Sequence, residues 1–304
     1  MSYFRRYIGI FFVSALVTLA ALAAIKIGFV WWLWRQAPAR LVDLHKIPPT
    51  IGLVATKLFI HRVVGQEPRP LILTLGDSQT FGISLSPEAT FPERLAQRLL
   101  GRAVYNLGVI AGSPTDALRV LEIAAAAGIH AEVITYNINL TPMTNPEPRL
   151  GDQFSALMFM RGLNDMNLQT LAVAMTQPSR GAEVVTRDSP SLRHPPDWGG
   201  PSDAEIKALI AAAGRISRRQ IFYTAPYPMT ALMANGADAK IISAAAQVMD
   251  ACRRTGGDGT ICVDLHAAVP DDGFFDISHL NNRGARIMAE IMENLISTGS
   301  TTAR

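Results

Sequence analysis

Apolar and polar positions divide the chain into three stretches. From Ile8 to Ile25 (IGIFFVSALVTLAALAAI) the sequence is uncharged and almost continuously apolar. That run meets the length of a membrane-spanning helix, about 18 residues or more. Arg35–Pro70 is broken by Pro38, Pro48, Pro49, Pro68 and Pro70. From Leu71 onward, short apolar runs alternate with longer segments whose apolar residues recur at helical spacing. Strands are predicted at Leu71–Leu75, Ala103–Leu107, Glu132–Tyr136, Gln220–Thr224 and Ile261–Leu265, and helices at Phe91–Leu100, Thr115–Ala127, Asp203–Ser217, Ala237–Arg254 and Asn282–Ile296. Repeated strand–helix alternation predicts an α/β fold, a three-layer α/β/α sandwich around a parallel sheet. In such sheets, sites lie at the carboxyl ends of the strands.

The rhythm fails over Thr141–Gly200, where a Met-bearing apolar stretch (Ala156–Met175) precedes the Pro- and Arg-bearing segment Gln177–Gly200. An insertion after a strand's carboxyl end serves either as a lid or substrate wall, or as a packed helical excursion with a tail. The resulting division is a cytoplasmic tip and transmembrane anchor over 1–34, a stalk over 35–70 and a catalytic-type domain over 71–304 with the insertion at 141–200. Within the stalk, Ile51–Val64 fits either a helix on a membrane surface or one packed on the domain.

The N-terminal run has two readings. As an anchor it is preceded by Arg5 and Arg6, which favours a cytoplasmic N-terminus, and is followed by an aromatic belt of Trp31, Trp32 and Trp34. Lys26 interrupts it and can snorkel toward the interface. As a cleaved signal it would be cut at Ala21-Leu22-Ala23. The continued apolarity beyond that point favours the anchor. That reading puts the chain in the inner (cytoplasmic) membrane as a single-pass protein, its domain on the periplasmic side.

Net charge is +3 with the basic residues scattered, so there is no nucleic-acid footprint. Export would permit a disulfide between the two cysteines, Cys252 and Cys262; two free thiols are the alternative. No Cys/His cluster has zinc spacing, and neither a metal nor a cofactor is expected.

The chemistry centres on Leu71–Gly82 (LILTLGDSQTFG). Ser78 falls where a strand hands over to a helical segment, so its hydroxyl sits at the sheet edge. Alone, Gly-Asp-Ser is also an ordinary turn. Activating a serine needs a base, usually a histidine held by a third group. Of six histidines, His45 and His61 lie in the stalk, His130 follows a helix end away from the carboxyl edge, and His194 sits among prolines. Asp264-Leu-His266 and Asp276-Ile-Ser-His279 remain, each with a carboxylate within reach of the ring. Oxyanion donors can come from Gly112, which ends Asn106–Gly112, and from Asn139 in Asn137-Ile-Asn139; otherwise these are a turn glycine and a loop cap.

Together these segments resemble the SGNH hydrolases, the GDSL-like esterase/lipase superfamily, over Leu71 to Ile296. Gly76-Asp77-Ser78 with Thr80 and Gly82 resembles the first block, Asn106-Leu-Gly108 through Gly112 the second, and Asp276-x-x-His279-Leu280-Asn281 with Gly284 the last. The third block usually reads Gly-x-Asn-Asp. Here it is Asn137-Ile138-Asn139-Leu140, keeping the central amide and departing on either side. The resemblance implies Ser78 as nucleophile, His279 as base oriented by Asp276, and an oxyanion hole from Ser78, Gly112 and Asn139, with Gly108 as an alternative to Gly112. It implies a tethered serine ester hydrolase or O-acyltransferase acting on acyl, O-acetyl above all, esters of envelope or secreted polysaccharide, within an envelope polysaccharide complex. A lipase or lysophospholipase, and a non-catalytic partner of such a complex, are the competing expectations.

Overall fold

The computed structural model describes residues 13–25, 57, 60, 61, 64–83, 85–109, 112–141 and 198–298. The chain divides into two compact units, Met1–Ala39 and Arg40–Arg304. In the first, residues 13–25 form a helix that leaves Val13, Leu16, Val17 and Ile25 exposed. The Thr18 hydroxyl donates back to the Ser14 carbonyl at 2.8 Å. The expected span Ile8–Ile25 is described only over this part. Among the described residues no helix is long and apolar enough to cross a membrane. Most of the expected stalk and insertion lies outside the described residues.

The second unit is built on five parallel strands: β1 (Leu71–Gly76), β2 (Ala103–Gly108), β3 (Val133–Ile138), β4 (Gln220–Thr224) and β5 (Thr260–Val263), in the order β2-β1-β3-β4-β5. Every residue of β3 and β4 is buried, as apolar and β-branched runs covered on both faces should be. The helices are α1 (Ser78–Phe81), α2 (Phe91–Arg98), α3 (Pro114–Ala126), α4 (Asp203–Gly214), α5 (Met229–Met233), α6 (Asp238–Thr255) and α7 (Asn282–Thr298). α2 packs with α7, while α4 packs between α3 and α6, which gives the two outer layers of the sandwich. The chain steps from β1 to one neighbour and then returns past it to the other. The order therefore reverses beside β1, and a crevice is expected at its carboxyl end.

Local chemistry sets the element ends. α3 and α4 each begin with a capping box, Ser113 with Asp116 and Ser202 with Glu205. β3 runs past its predicted end at Tyr136, because Asn137 and Ile138 still pair with Tyr223 and Thr224 of β4. β5 stops short of its predicted end because the Thr224 hydroxyl takes the Leu265 N–H at 2.7 Å, closing off the ladder.

Cys252 of α6 and Cys262 of β5 form a disulfide, their Cα atoms 6.0 Å apart. It ties the edge strand to the helix that leads into it. Replacing both cysteines with serine should lower unfolding stability by about 2–3 kcal/mol, from the freed entropy of a short loop. Denaturant unfolding of the double variant against the oxidised wild type measures this.

Candidate active site

β1 delivers the chain to the crevice, and Gly76 turns it. Gly76 has φ +154°, and a Cβ there would meet Thr80 Oγ1 at 2.3 Å and Asn137 Cβ at 2.7 Å. Asp77 then caps α1, accepting the Gln79 N–H on Oδ1 at 2.9 Å. Ser78 is the first helical residue, a position whose N–H lacks an intrahelical partner. α1 is held from below by β2: Asn106 donates to the Thr80 and Phe81 carbonyls at 2.9 and 3.2 Å. A Cβ on Gly108 would lie 2.4 Å from the Phe81 nitrogen, so β2 can approach this closely only through a glycine.

The second half of the site comes from the turn before α7. Asp276 Oδ1 accepts the Ser278 and His279 N–H groups at 2.9 and 2.8 Å, and its Oδ2 meets His279 Nδ1 at 2.7 Å. Phe275 stacks on the imidazole, ring centroids 5.5 Å apart and planes 16° from parallel. His279 Nε2 then lies 2.9 Å from Ser78 Oγ. With Nδ1–H given to the carboxylate, Nε2 is left as an acceptor for the serine proton. A serine in this arrangement becomes a competent nucleophile. The structure thus brings together Ser78, His279 and Asp276. His266 is placed elsewhere: it and Thr224 both bond Asp264 Oδ1, at 2.7 and 2.6 Å, a clasp between the ends of β4 and β5.

The two expected oxyanion donors differ in their present engagement. Asn139, just past β3, donates from Nδ2 to Asp77 Oδ2. Its Oδ1 accepts the Tyr227 hydroxyl at 2.9 Å and the Thr141 N–H at 2.8 Å. One amide N–H is thereby fixed on Asp77, and Asn139 borders an adjoining cavity. The Gly112 N–H instead closes a turn on the Val109 carbonyl at 2.8 Å, so in this conformation it is directed into the turn rather than toward a reacting oxygen. The alternative, Gly108, donates its N–H to Asn106 Oδ1 at 3.0 Å. A cavity of about 220 Å³ opens on this side, bordered by Asp77, Gly112, Pro114, Asn137, Asn139 and Glu205.

Electrostatics separate the two aspartates. Burial pushes the Asp77 carboxyl above its usual range, and the Gln79 N–H, the nearby His279 and the Asn139 amide only partly offset it. Burial also opposes ionisation of Asp276, but the bonds and charge of His279 and the two backbone N–H groups outweigh it, so its pKa lies below the usual carboxylate value. Among the described residues no group of three or more His, Cys, Asp or Glu could hold a metal ion.

Sequence reasoning passed over Gln79 and Tyr227. Both are buried polar side chains: the Tyr227 hydroxyl accepts the Leu140 N–H at 2.9 Å while fixing Asn139, and its ring meets Trp198 edge-on at 5.1 Å. The available signal was position, since Gln79 directly follows the serine and Tyr227 lies three residues beyond the carboxyl end of β4.

Fold and site define an α/β protein with a serine–imidazole–carboxylate relay at the carboxyl edge of a parallel sheet. No family model matches the chain, and no curated protein matches it. Solved structures do. A lipolytic protein of the G-D-S-L family from Veillonella parvula is 14% identical with a TM-score of 0.45, the match covering 75% of this chain and 98% of that one. A catalytic mutant of the acetylxylan esterase Axe2 from Geobacillus stearothermophilus is 15% identical with a TM-score of 0.43, over 77% of this chain and 97% of the other. The inhibitor-bound aryl esterase of M. smegmatis is 15% identical with a TM-score of 0.41, over 75% and 98%. Likenesses this distant bear on neither activity nor substrate.

Two outcomes follow from this geometry. Asp77→Asn puts an amide opposite the Asn139 amide, so turnover of an ester by the variant should fall by about 10–10². For Asp276, a folded pKa below the unfolded value means its stabilisation is complete above the unfolded pKa and disappears as pH drops through the folded one. The Tm gap between wild type and Asp276→Asn should therefore be full at neutral pH and narrow on acidification below about pH 4, as thermal melts across pH would record.

Proposed function

We propose that this chain is an SGNH-type serine ester hydrolase or O-acyltransferase, exported and tethered by its N-terminal apolar segment. The observation that carries the reading is the 2.9 Å contact between Ser78 Oγ and His279 Nε2, with Asp276 2.7 Å behind the ring. These are the residues that the first and last motif blocks single out.

In the proposed reaction Ser78 Oγ attacks an ester carbonyl as its proton passes to His279 Nε2. The oxyanion is met by the Ser78 N–H and the second N–H of Asn139. A donor from the Gly112 turn would require that turn to open. Collapse of the tetrahedral intermediate breaks the ester C–O bond, and the alcohol leaves with the proton from His279. Water, or a sugar hydroxyl in a transferase, attacks the acyl-serine with His279 again as base, and frees Ser78.

The disulfide favours an oxidising compartment. The apolar side chains exposed on residues 13–25 suit a tether. Acyl groups on envelope or secreted polysaccharide, O-acetyl first among them, are the proposed substrates.

Ser78→Ala should abolish both fluorophosphonate labelling and hydrolysis of p-nitrophenyl acetate. Asn139→Ala should lose about 10²–10³ in kcat, the scale of one oxyanion donor. Full activity in the serine variant would refute the mechanism. A rate that climbs steadily with acyl chain length would move the substrate from acetylated glycan to lipid.

A further inference from the structure

One buried side chain touches both halves of the relay without belonging to it. Gln79 is 5% exposed and directly follows Ser78 in α1. Its Nε2 donates to the Pro226 carbonyl at 2.8 Å and to the Ser278 carbonyl. Its Oε1 accepts the Asn137 amide at 3.1 Å. The primary amide thus joins the serine turn to two other loops and to the end of β3 at the sheet's carboxyl edge. The Ser278 carbonyl belongs to the peptide unit that leads into His279. Pinning that oxygen fixes the plane of the peptide, and with it the Cα from which the imidazole projects. Pro226 precedes Tyr227, whose hydroxyl holds Asn139.

We infer that Gln79 is the positioning residue that sets the Ser78–His279 distance, clamping the base-bearing turn to the nucleophile turn through its side-chain amide. The inference rests on the proposed roles of Ser78 and His279. Leucine at this position keeps the bulk but abandons two carbonyls and an amide. The turn at 276–279 would then lose the Gln79 amide's hold on α1 and lean on the Ser78–His279 contact that the amide supports. Glutamate keeps the shape, but when ionised it sets a charged oxygen against the Ser278 and Pro226 carbonyls.

The experiment compares wild type, Gln79→Leu, Gln79→Glu, Ser78→Ala and the Cys252→Ser/Cys262→Ser double variant. It measures the second-order rate of fluorophosphonate labelling, kcat and KM on p-nitrophenyl acetate, and Tm. Gln79→Leu should label and turn over about 10–10² more slowly, with KM changed by less than about twofold, the signature of lost alignment rather than lost binding. Relative to wild type at the same pH, Gln79→Glu should lose rate as pH rises through its own titration. The double cysteine variant, destabilised far from the site, should label at the wild-type rate, which separates alignment from stability. Labelling of Gln79→Leu and Gln79→Glu within about twofold of wild type would overturn the inference and leave the serine mechanism standing. If Gln79→Leu does not fold, the pH trend of Gln79→Glu decides. Wild type that neither labels nor hydrolyses would instead remove the serine mechanism, and this inference with it.

Discussion

The hydrogen bond between Ser78 and His279 joins residues 201 positions apart, and the rest of the second unit can be understood as the means of keeping that bond short. A serine hydroxyl and a neutral imidazole have little reason to stay together in water. They meet because β1 and the turn before α7 both end at the same edge of one sheet. The sheet in turn holds its register because β1, β3 and β4 are buried and parallel. The reversal of strand order beside β1 leaves room at that edge for a turn rather than another covering helix.

Much of this was legible in the sequence, for identifiable reasons. Five apolar runs separated by amphipathic segments leave few choices besides a parallel sheet, and all five strands appear where periodicity put them, with ends shifted by a residue or two. Two of the shifts fall at polar residues. Asn137 looks like a strand end but remains paired within β3. Leu265 looks like strand but has its N–H taken by Thr224. Ser78, Asp276 and His279 were legible because their motifs are local. Gln79 and Tyr227 were not, because each depends on partners supplied by distant segments; the Gly112 N–H was not, because a tight turn takes it up on the Val109 carbonyl.

The departures in the third block also have a physical account. Where the resemblance leads one to expect glycine, Asn137 gives its amide to Gln79. Gly76 is what makes room for that side chain, since a Cβ there would strike the Asn137 Cβ. Where an acidic residue is expected, Leu140 is fully buried and its N–H is met by Tyr227. The substitutions form a mutually supporting set around Asn139, and the buried Asp77 carboxyl accepts that residue's amide N–H.

The clasp at Asp264 has a consequence for spectroscopy. Two imidazoles, those of His266 and His279, each hold Nδ1 at 2.7 Å from a carboxylate oxygen. A strongly deshielded ring proton in the NMR spectrum is thus expected from both, one at the Asp264 clasp and one beside Ser78. Only the signal that responds when the serine is occupied belongs to His279, and the other offers a built-in reference for the same chemistry at rest.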